Sequence, residues 1–325
     1  MNGQWSLVLN AVGAVFLMIA LGASLRRFGL LTRHADDTLL KVIVRVLVPA
    51  LILHVIVGNR RMTEPGNLVL PPIVGFVTVV GGIALAYMLA ILLKGAIGLN
   101  SPAAIRTFAL GVGLYNYAYV PLPLIERLYD TDLADKATQG VLFVHNLGVE
   151  VAMWTVGVVL VSGHFGRDPW KRVLNPPVLA IVLALAVNLS GLHRHWPGFL
   201  AQITDMLGRS AIPLSLLLTG AMIADAWSSS RLGEGLRTIA AAASLRLLVL
   251  PAAFVALAWL VPGPVELKRV MVVQAAMPSA VFPIVLARVY GGDVPTAVRV
   301  CVGTSLLGMA TLPLWLRFGR VLVGV

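Results

Sequence analysis

The chain has 325 residues, 58% of them hydrophobic and only 12% charged, with a mean hydropathy of +0.90. A soluble domain of this length needs far more polar surface, so the composition excludes that class and points to an integral membrane protein. The net charge of +11 comes from scattered pairs beside apolar runs (Arg26-Arg27, Arg60-Arg61, Lys171-Arg172, Lys268-Arg269), which is membrane-flanking charge and not a nucleic-acid-tracking stripe.

Crossing the hydrocarbon layer takes about 20 residues per helix. Apolar segments of that order run over 5–25, 38–58, 68–93, 103–125, 138–162, 174–192, 198–224, 236–261, 267–289 and 294–316. The first has no basic residues before it; Arg26 and Arg27 follow it, so it reads as a retained span and not a cleaved signal. Turn-forming connections such as "GNRRMTEPGN" at 58–67 and "GHFGRDPWKR" at 163–172 separate the segments. The expectation is an all-α membrane protein of ten helices with no room for a soluble domain. Cys301 stands alone, so no internal disulfide forms, and it reads as a small buried apolar residue.

Lys and Arg favour the loops after helices 1, 3, 5, 7 and 9 over the opposite loops. In a bacterial inner membrane this bias places both termini on the non-cytoplasmic side.

Two short patterns recur. "RVLVP" at 45–49 matches "RSAIP" at 209–213, and "RLYDTD" at 127–132 matches "RVYGGD" at 288–293, offsets of 164 and 161 positions in the same order. The shared offset predicts two repeats of five helices, residues 1–163 and 174–325. An odd number of helices per repeat forces the second copy to enter from the other side, an inverted arrangement used by secondary transporters.

The fourth segment contains "YNYAYVPLP" at 115–123, and the ninth contains "MPSAVFP" at 277–283. Proline cannot donate to the carbonyl four residues earlier and its ring crowds it. Pro121 thus frees the carbonyl of Tyr117, Pro123 that of Tyr119, Pro278 that of Gln274 and Pro283 that of Ser279. Broken backbone at membrane depth is tolerated only where protein or a wet cavity satisfies it. Two broken segments at matching places in two halves point to a midplane site, and helices restarting there aim N-terminal dipoles at an anion. Ordinary proline kinks are the bland alternative. The candidate substrate-binding residues are Asn116, Tyr117, Pro121, Asn146, Gln274, Met277, Pro278 and Ser279.

Glu150 and Arg246 lie near the middle of helices five and eight. Intramembrane charge points either to a coupling site for H⁺ or Na⁺ and a substrate contact, or to a structural ion pair between the two. Asn146 is one turn from Glu150 and shares its face; a plain interhelical hydrogen bond is its other reading. His54 and His145 read as packed residues, and Asp205 and Arg209, four apart, as mutual partners. Arg45 has no acid four residues away and reads as snorkelling or reaching a lipid phosphate. No Walker loop, nucleophile elbow or zinc-protease motif is present, which argues against an ATP-driven pump or a hydrolase.

The segments "GVGLYNYAYVPLPLIERLY" and "AAMPSAVFPIVLARVYGGD" resemble the two crossover helices of the auxin efflux carrier family. The likeness continues in "VLVPALILHVI", "VHNLGVEVAMWTVG" and "AIPLSLLLTGAMI" and covers essentially the whole chain. It implies a five-plus-five inverted repeat shared with bile acid:sodium symporters. Helices 1, 2, 6 and 7 would form a scaffold, often dimeric, and helices 3–5 and 8–10 a moving transport unit. Asn116 matches the family's crossover asparagine, and Pro121 with Pro278 or Pro283 its prolines. The chain lacks the long central loop of plant members, which puts auxin itself in doubt as substrate.

The resulting expectation is an elevator-like carrier of a small organic anion, without cofactor or metal. Its partners would be the substrate anion, membrane lipid and a second copy of the chain, not nucleic acid. The rival classes are a membrane enzyme acting on a lipid or polyprenyl group and a non-transporting sensor. The enzyme would need a metal-binding acidic cluster, and only Asp130, Asp132 and Asp135 stand close together, in a loop.

Overall fold

The computed structural model describes residues 2–130, 136–163, 172–229 and 235–325. Asp132, Asp135, Lys171 and the Arg167 of the 163–172 connection, which entered the loop readings above, lie outside the described residues. The helices are α1 (Asn2–Arg27), α2 (Arg33–Ile56), α3 (Pro65–Leu93), α4 (Pro102–Gly113), α5 (Pro121–Leu128) and α6 (Ala137–Ser162). They continue with α7 (Pro176–Leu189), α8 (Gly198–Ser229), α9 (Leu236–Leu260), α10 (Val265–Ala276), α11 (Phe282–Tyr290) and α12 (Val294–Val323). Among the described residues there is no β-strand, only one isolated antiparallel bridge between Tyr115 and Ser279.

Among the described residues, seven helices are long and apolar enough to cross a membrane: α1, α2, α3, α6, α8, α9 and α12. At 14 residues α7 is about 21 Å long, less than the roughly 30 Å hydrocarbon layer. The two remaining apolar segments are each divided, into α4 with α5 and α10 with α11, at the positions where the prolines foretold a break.

Side-chain caps set several helix starts. Ser101 accepts from the Ala104 N–H ahead of α4, Asn175 from Val178 ahead of α7, and Asp293 from Thr296 ahead of α12, each followed by a proline that needs no donor partner. In lipid, helices associate through close packing of small residues. A Cβ on Gly148 of α6 would lie 1.8 Å from the Pro72 carbonyl oxygen of α3, and one on Gly220 of α8 would lie 1.9 Å from that of Ile19 in α1. Only glycine permits these crossings.

Three helices carry one π-turn each, at Ile43–Leu47, Met153–Gly157 and Leu245–Val249. Two of them precede a proline, Pro49 and Pro251, whose rings displace the carbonyls of Arg45 and Leu247. The Leu247 oxygen is taken instead by Trp315 Nε1 of α12 at 2.6 Å.

Charged side chains join helices at their ends. Arg26 of α1 pairs with Asp36 of α2 and, at 3.3 Å, with Asp225 of α8, which Arg33 also meets at 3.2 Å. Elsewhere Asp205 receives Arg209 at 2.7 Å, as the four-residue spacing foretold. The same carboxylate lies 3.1 Å from His54 Nε2, which in turn lies 2.7 Å from Lys136 Nζ. His54 is therefore not a merely packed residue; it links α2 and α8 to the start of α6. His145 is packed, 1% exposed, with Nδ1 3.3 Å from Asn146 Oδ1. Arg45 is exposed on α2.

Candidate functional site

The chain leaves the helix at Leu114 and resumes it at Pro121; on the other segment it leaves at Met277 and resumes at Phe282. At these gaps backbone groups lack their helical partners, and each gap supplies the other. The Asn116 N–H donates to the Pro278 carbonyl and the Ala280 N–H to the Leu114 carbonyl, both at 2.9 Å. Tyr115 and Ser279 face each other in this two-bond staple. The Ser279 N–H is taken by Thr304 Oγ1 of α12 at 3.2 Å, and the Tyr115 hydroxyl lies 3.0 Å from Thr78 Oγ1 of α3.

The carbonyl released by Pro121 is doubly held. Tyr117 O accepts from Asn146 Nδ2 of α6 and from Gln274 Nε2 of α10, each at 3.0 Å. Both amides were singled out from the sequence, and both converge on one oxygen.

The carbonyls at the end of α10 are held differently. Arg246 of α9 donates through Nε to Met277 O at 2.9 Å, and through Nη2 to Gln274 O at 3.2 Å and Ala275 O at 3.3 Å. Its side chain is fully buried, with the guanidinium carbon 5.0 Å from the Tyr115 ring centroid and 5.5 Å from that of Phe254. A cation at this helix end meets the negative pole of the α10 dipole. Arg246 is the second residue of the π-turn at Leu245–Val249.

Glu150 has other company. Its Oε1 accepts from the Tyr117 hydroxyl at 2.8 Å, and its Oε2 from Trp154 Nε1 and Asn175 Nδ2, both at 2.9 Å. The structural ion pair between Glu150 and Arg246 is thus overturned: three neutral donors satisfy the carboxylate, and three carbonyls and two rings hold the guanidinium. Both groups face protein. Tyr117 is the hub, with its carbonyl on the amides and its hydroxyl on the carboxylate.

Trp154, Asn175, Thr304, Thr78 and Tyr115 complete this network and were not singled out from the sequence. Trp154 stands one helical turn from Glu150, a spacing that could have found it. Asn175 carries only the signal of a helix cap before prolines, which says nothing about Glu150.

Several polar atoms at the crossing remain unpartnered. Asn116 Oδ1 accepts from the Val120 N–H at a long 3.5 Å, while its half-buried Nδ2 has no hydrogen-bond partner among the described residues. Among the described residues, Arg246 Nη1 and Ser279 Oγ are buried and unpartnered, as is one acceptor, Gln274 Oε1. Of the carbonyls freed by proline, those of Tyr117 and Gln274 are held, and the donors left at the crossing are the Asn116 amide, the Ser279 hydroxyl and one arm of Arg246. Pro121 closes the first gap, and Met277 and Pro278 enter through their carbonyls.

Apolar helices that cross repeatedly, with two broken helices stapled at their gaps, define a multi-pass membrane protein of the transporter class. A family model described as membrane transport protein matches residues 7–168 and 165–316. The chain belongs to this family, that of the auxin efflux carriers and related membrane transporters. It is similar to an uncharacterized transporter of Methanothermobacter thermautotrophicus, 25% identical over 311 residues that cover 94% of this chain and 96% of the relative. It is also similar to the uncharacterized transporter MJ1031 of Methanocaldococcus jannaschii, 22% identical over 313 residues, 94% of this chain and 97% of that one.

Proposed function

We propose that the protein is a secondary carrier of a small organic anion, a carboxylate, held at the crossing of the two broken helices. The observation that carries this reading is the group of donors without a partner among the described residues there: the Asn116 amide, the Ser279 hydroxyl and one arm of Arg246. Unpaired buried donors are costly, and an anion satisfies several at once. The helices α5 and α11 start at the gaps and add positive dipole ends.

In this reading α4 with α5 and α10 with α11 each make one crossing, giving ten crossings in two inverted repeats, residues 1–163 and 174–325. The scaffold is α1, α2, α7 and α8, the moving unit is α3–α6 with α9–α12, and two copies associate through the scaffold. Both termini lie on the non-cytoplasmic side of a bacterial inner membrane. Movement of the unit past the scaffold would expose the site alternately, in the manner of an elevator.

Glu150 gives the reading a coupling step. Its carboxylate is tied to the crossing through Tyr117 and has no cationic partner among the described residues. A bound anion and this carboxylate repel each other through a poorly screening interior. A proton or Na⁺ at Glu150 removes that repulsion, so cation and anion favour each other's binding.

The test is a thermal-shift screen of the purified protein against mono- and dicarboxylates, with and without Na⁺ and across pH. A carboxylate at one hundred times its dissociation constant stabilises by about 2.7 kcal/mol. The expected result is a shift with at least one organic acid that grows with Na⁺ or with falling pH. No shift with any acid contradicts the carrier reading.

A further inference from the structure

A second polar recess lies away from the crossing, where α2 and α7 end side by side. The turns that follow them, 57–63 and 190–195, enclose a cavity of about 510 Å³. Its walls are fixed by Asn188, the penultimate residue of α7. Asn188 Nδ2 donates to Ile56 O at 2.8 Å and to Asn59 O at 3.0 Å, and its Oδ1 accepts the Gly58 N–H at 2.7 Å. Gly58 and Gly191 turn the chain with φ of 81° and 77°, a left-handed conformation that side chains disfavour. The recess is therefore built by the fold and does not depend on loose side chains.

Its chemistry is cationic. Arg60, His193 and Arg194 line it, and no Asp or Glu does. Neither arginine forms an ion pair among the described residues, in contrast to Arg61 next door, which meets Glu64 at 3.1 Å and Glu266 at 3.6 Å. His193 Nδ1 is buried there without a hydrogen-bond partner. Two guanidiniums and a ring nitrogen converging on one recess favour an anion there.

The surroundings say which anion. Leu189 and Leu192 at its edge are each 59% exposed, and below them Leu183 and Leu179 of α7 are 53% and 52% exposed. In a multi-pass membrane protein such an apolar helix face suits acyl chains, and the recess sits where α2 and α7 end. We propose that the recess binds the phosphate of an acidic phospholipid. Arg60 and Arg194 would hold the phosphate oxygens, His193 would add a ring nitrogen, and the acyl chains would lie along α7. Guanidinium forks suit phosphate geometry. The assignment stands apart from the crossing and from the substrate bound there.

The test uses full-length protein stripped of lipid in detergent and titrated with phosphatidylglycerol, phosphatidylcholine or inorganic phosphate. Native mass spectrometry counts bound lipid, and the melting temperature is read in parallel. Phosphatidylglycerol is expected to bind about tenfold more tightly than phosphatidylcholine. A surface arginine contributes about 1 kcal/mol to such binding, so Arg60→Gln and Arg194→Gln should each lower the affinity about fivefold. Arg127→Gln, at an exposed arginine outside the recess, should leave it unchanged. Equal binding of the two lipids, or an equal loss in Arg127→Gln, overturns the proposal. An arginine-dependent shift with inorganic phosphate that phosphatidylglycerol does not exceed makes the recess a free-anion site and overturns the lipid assignment.

Discussion

The two breaks that meet at the crossing are built from opposite materials. Residues 277–280 are almost fully buried, small or apolar, and the helix end before them is held by the Arg246 guanidinium. Residues 116–119 carry an amide and two phenols, are half-buried, and rest on the Asn146 and Gln274 amides and the Glu150 carboxylate. A charge-assisted clamp on buried carbonyls makes a rigid part. A half-open segment with a free amide makes a part that can accept a ligand. The second break is thus the anchor and the first the receptor.

Four substitutions test that contrast. The largest effect belongs to Arg246→Met, which leaves the Ala275 and Met277 carbonyls without their donor and Gln274 O with only the Met277 N–H. Orphaned buried acceptors cost about 1–3 kcal/mol each, so the loss should exceed about 2 kcal/mol, read as a sharp fall in melting temperature and yield of folded protein. Parent-like stability would mean that the anchor is not Arg246.

Next is Glu150→Gln. An amide oxygen accepts, but an amide nitrogen cannot receive from Trp154 or Asn175, so at least one donor is stranded at a cost of about 1–3 kcal/mol. The same variant should bind anions with no dependence on Na⁺ or pH, measured by calorimetry across both. Retained dependence would move the coupling step elsewhere.

The smallest effects concern the shared grip on Tyr117. Asn146→Leu and Gln274→Leu each remove one of two donors and should cost about 1 kcal/mol in unfolding. Together they orphan the oxygen, so a double-mutant cycle should show coupling of about 0.5–3 kcal/mol. Simple additivity would show that the two amides do not share the load.

What was legible in the sequence follows the range of the interactions. Membrane class, helix positions and both breaks are local properties of hydropathy and proline, and the α4–α5 and α10–α11 gaps fall where those residues place them. The Tyr117 carbonyl could be named as an orphan because Pro121 is four residues away. Its partners could be named only as candidates, since Gln274 comes from 157 positions further along the chain. Arg246 was legible as a buried charge but not as a helix-end clamp, because that role needs the 31-residue return from α9 to α10. Pairing it with Glu150 failed for the same reason: neutral donors such as Asn175 leave no charge signal to read. His54 was missed as a link because its partners sit on α6 and α8.

The central claim rests on Asn116, whose amide nitrogen is the free donor of the receptor break. Asn116→Ala removes only a 3.5 Å hydrogen bond to the Val120 N–H, so stability without ligand should fall by less than about 1 kcal/mol. A hydrogen bond to a charged group is worth about 1.5–3 kcal/mol, so affinity for the carboxylate found in the screen should fall roughly ten- to hundredfold. The decisive measurement is the melting temperature and the carboxylate affinity of this one variant, side by side. The account predicts a near-parental melting temperature with lost affinity; a lower melting temperature with parental affinity would contradict it.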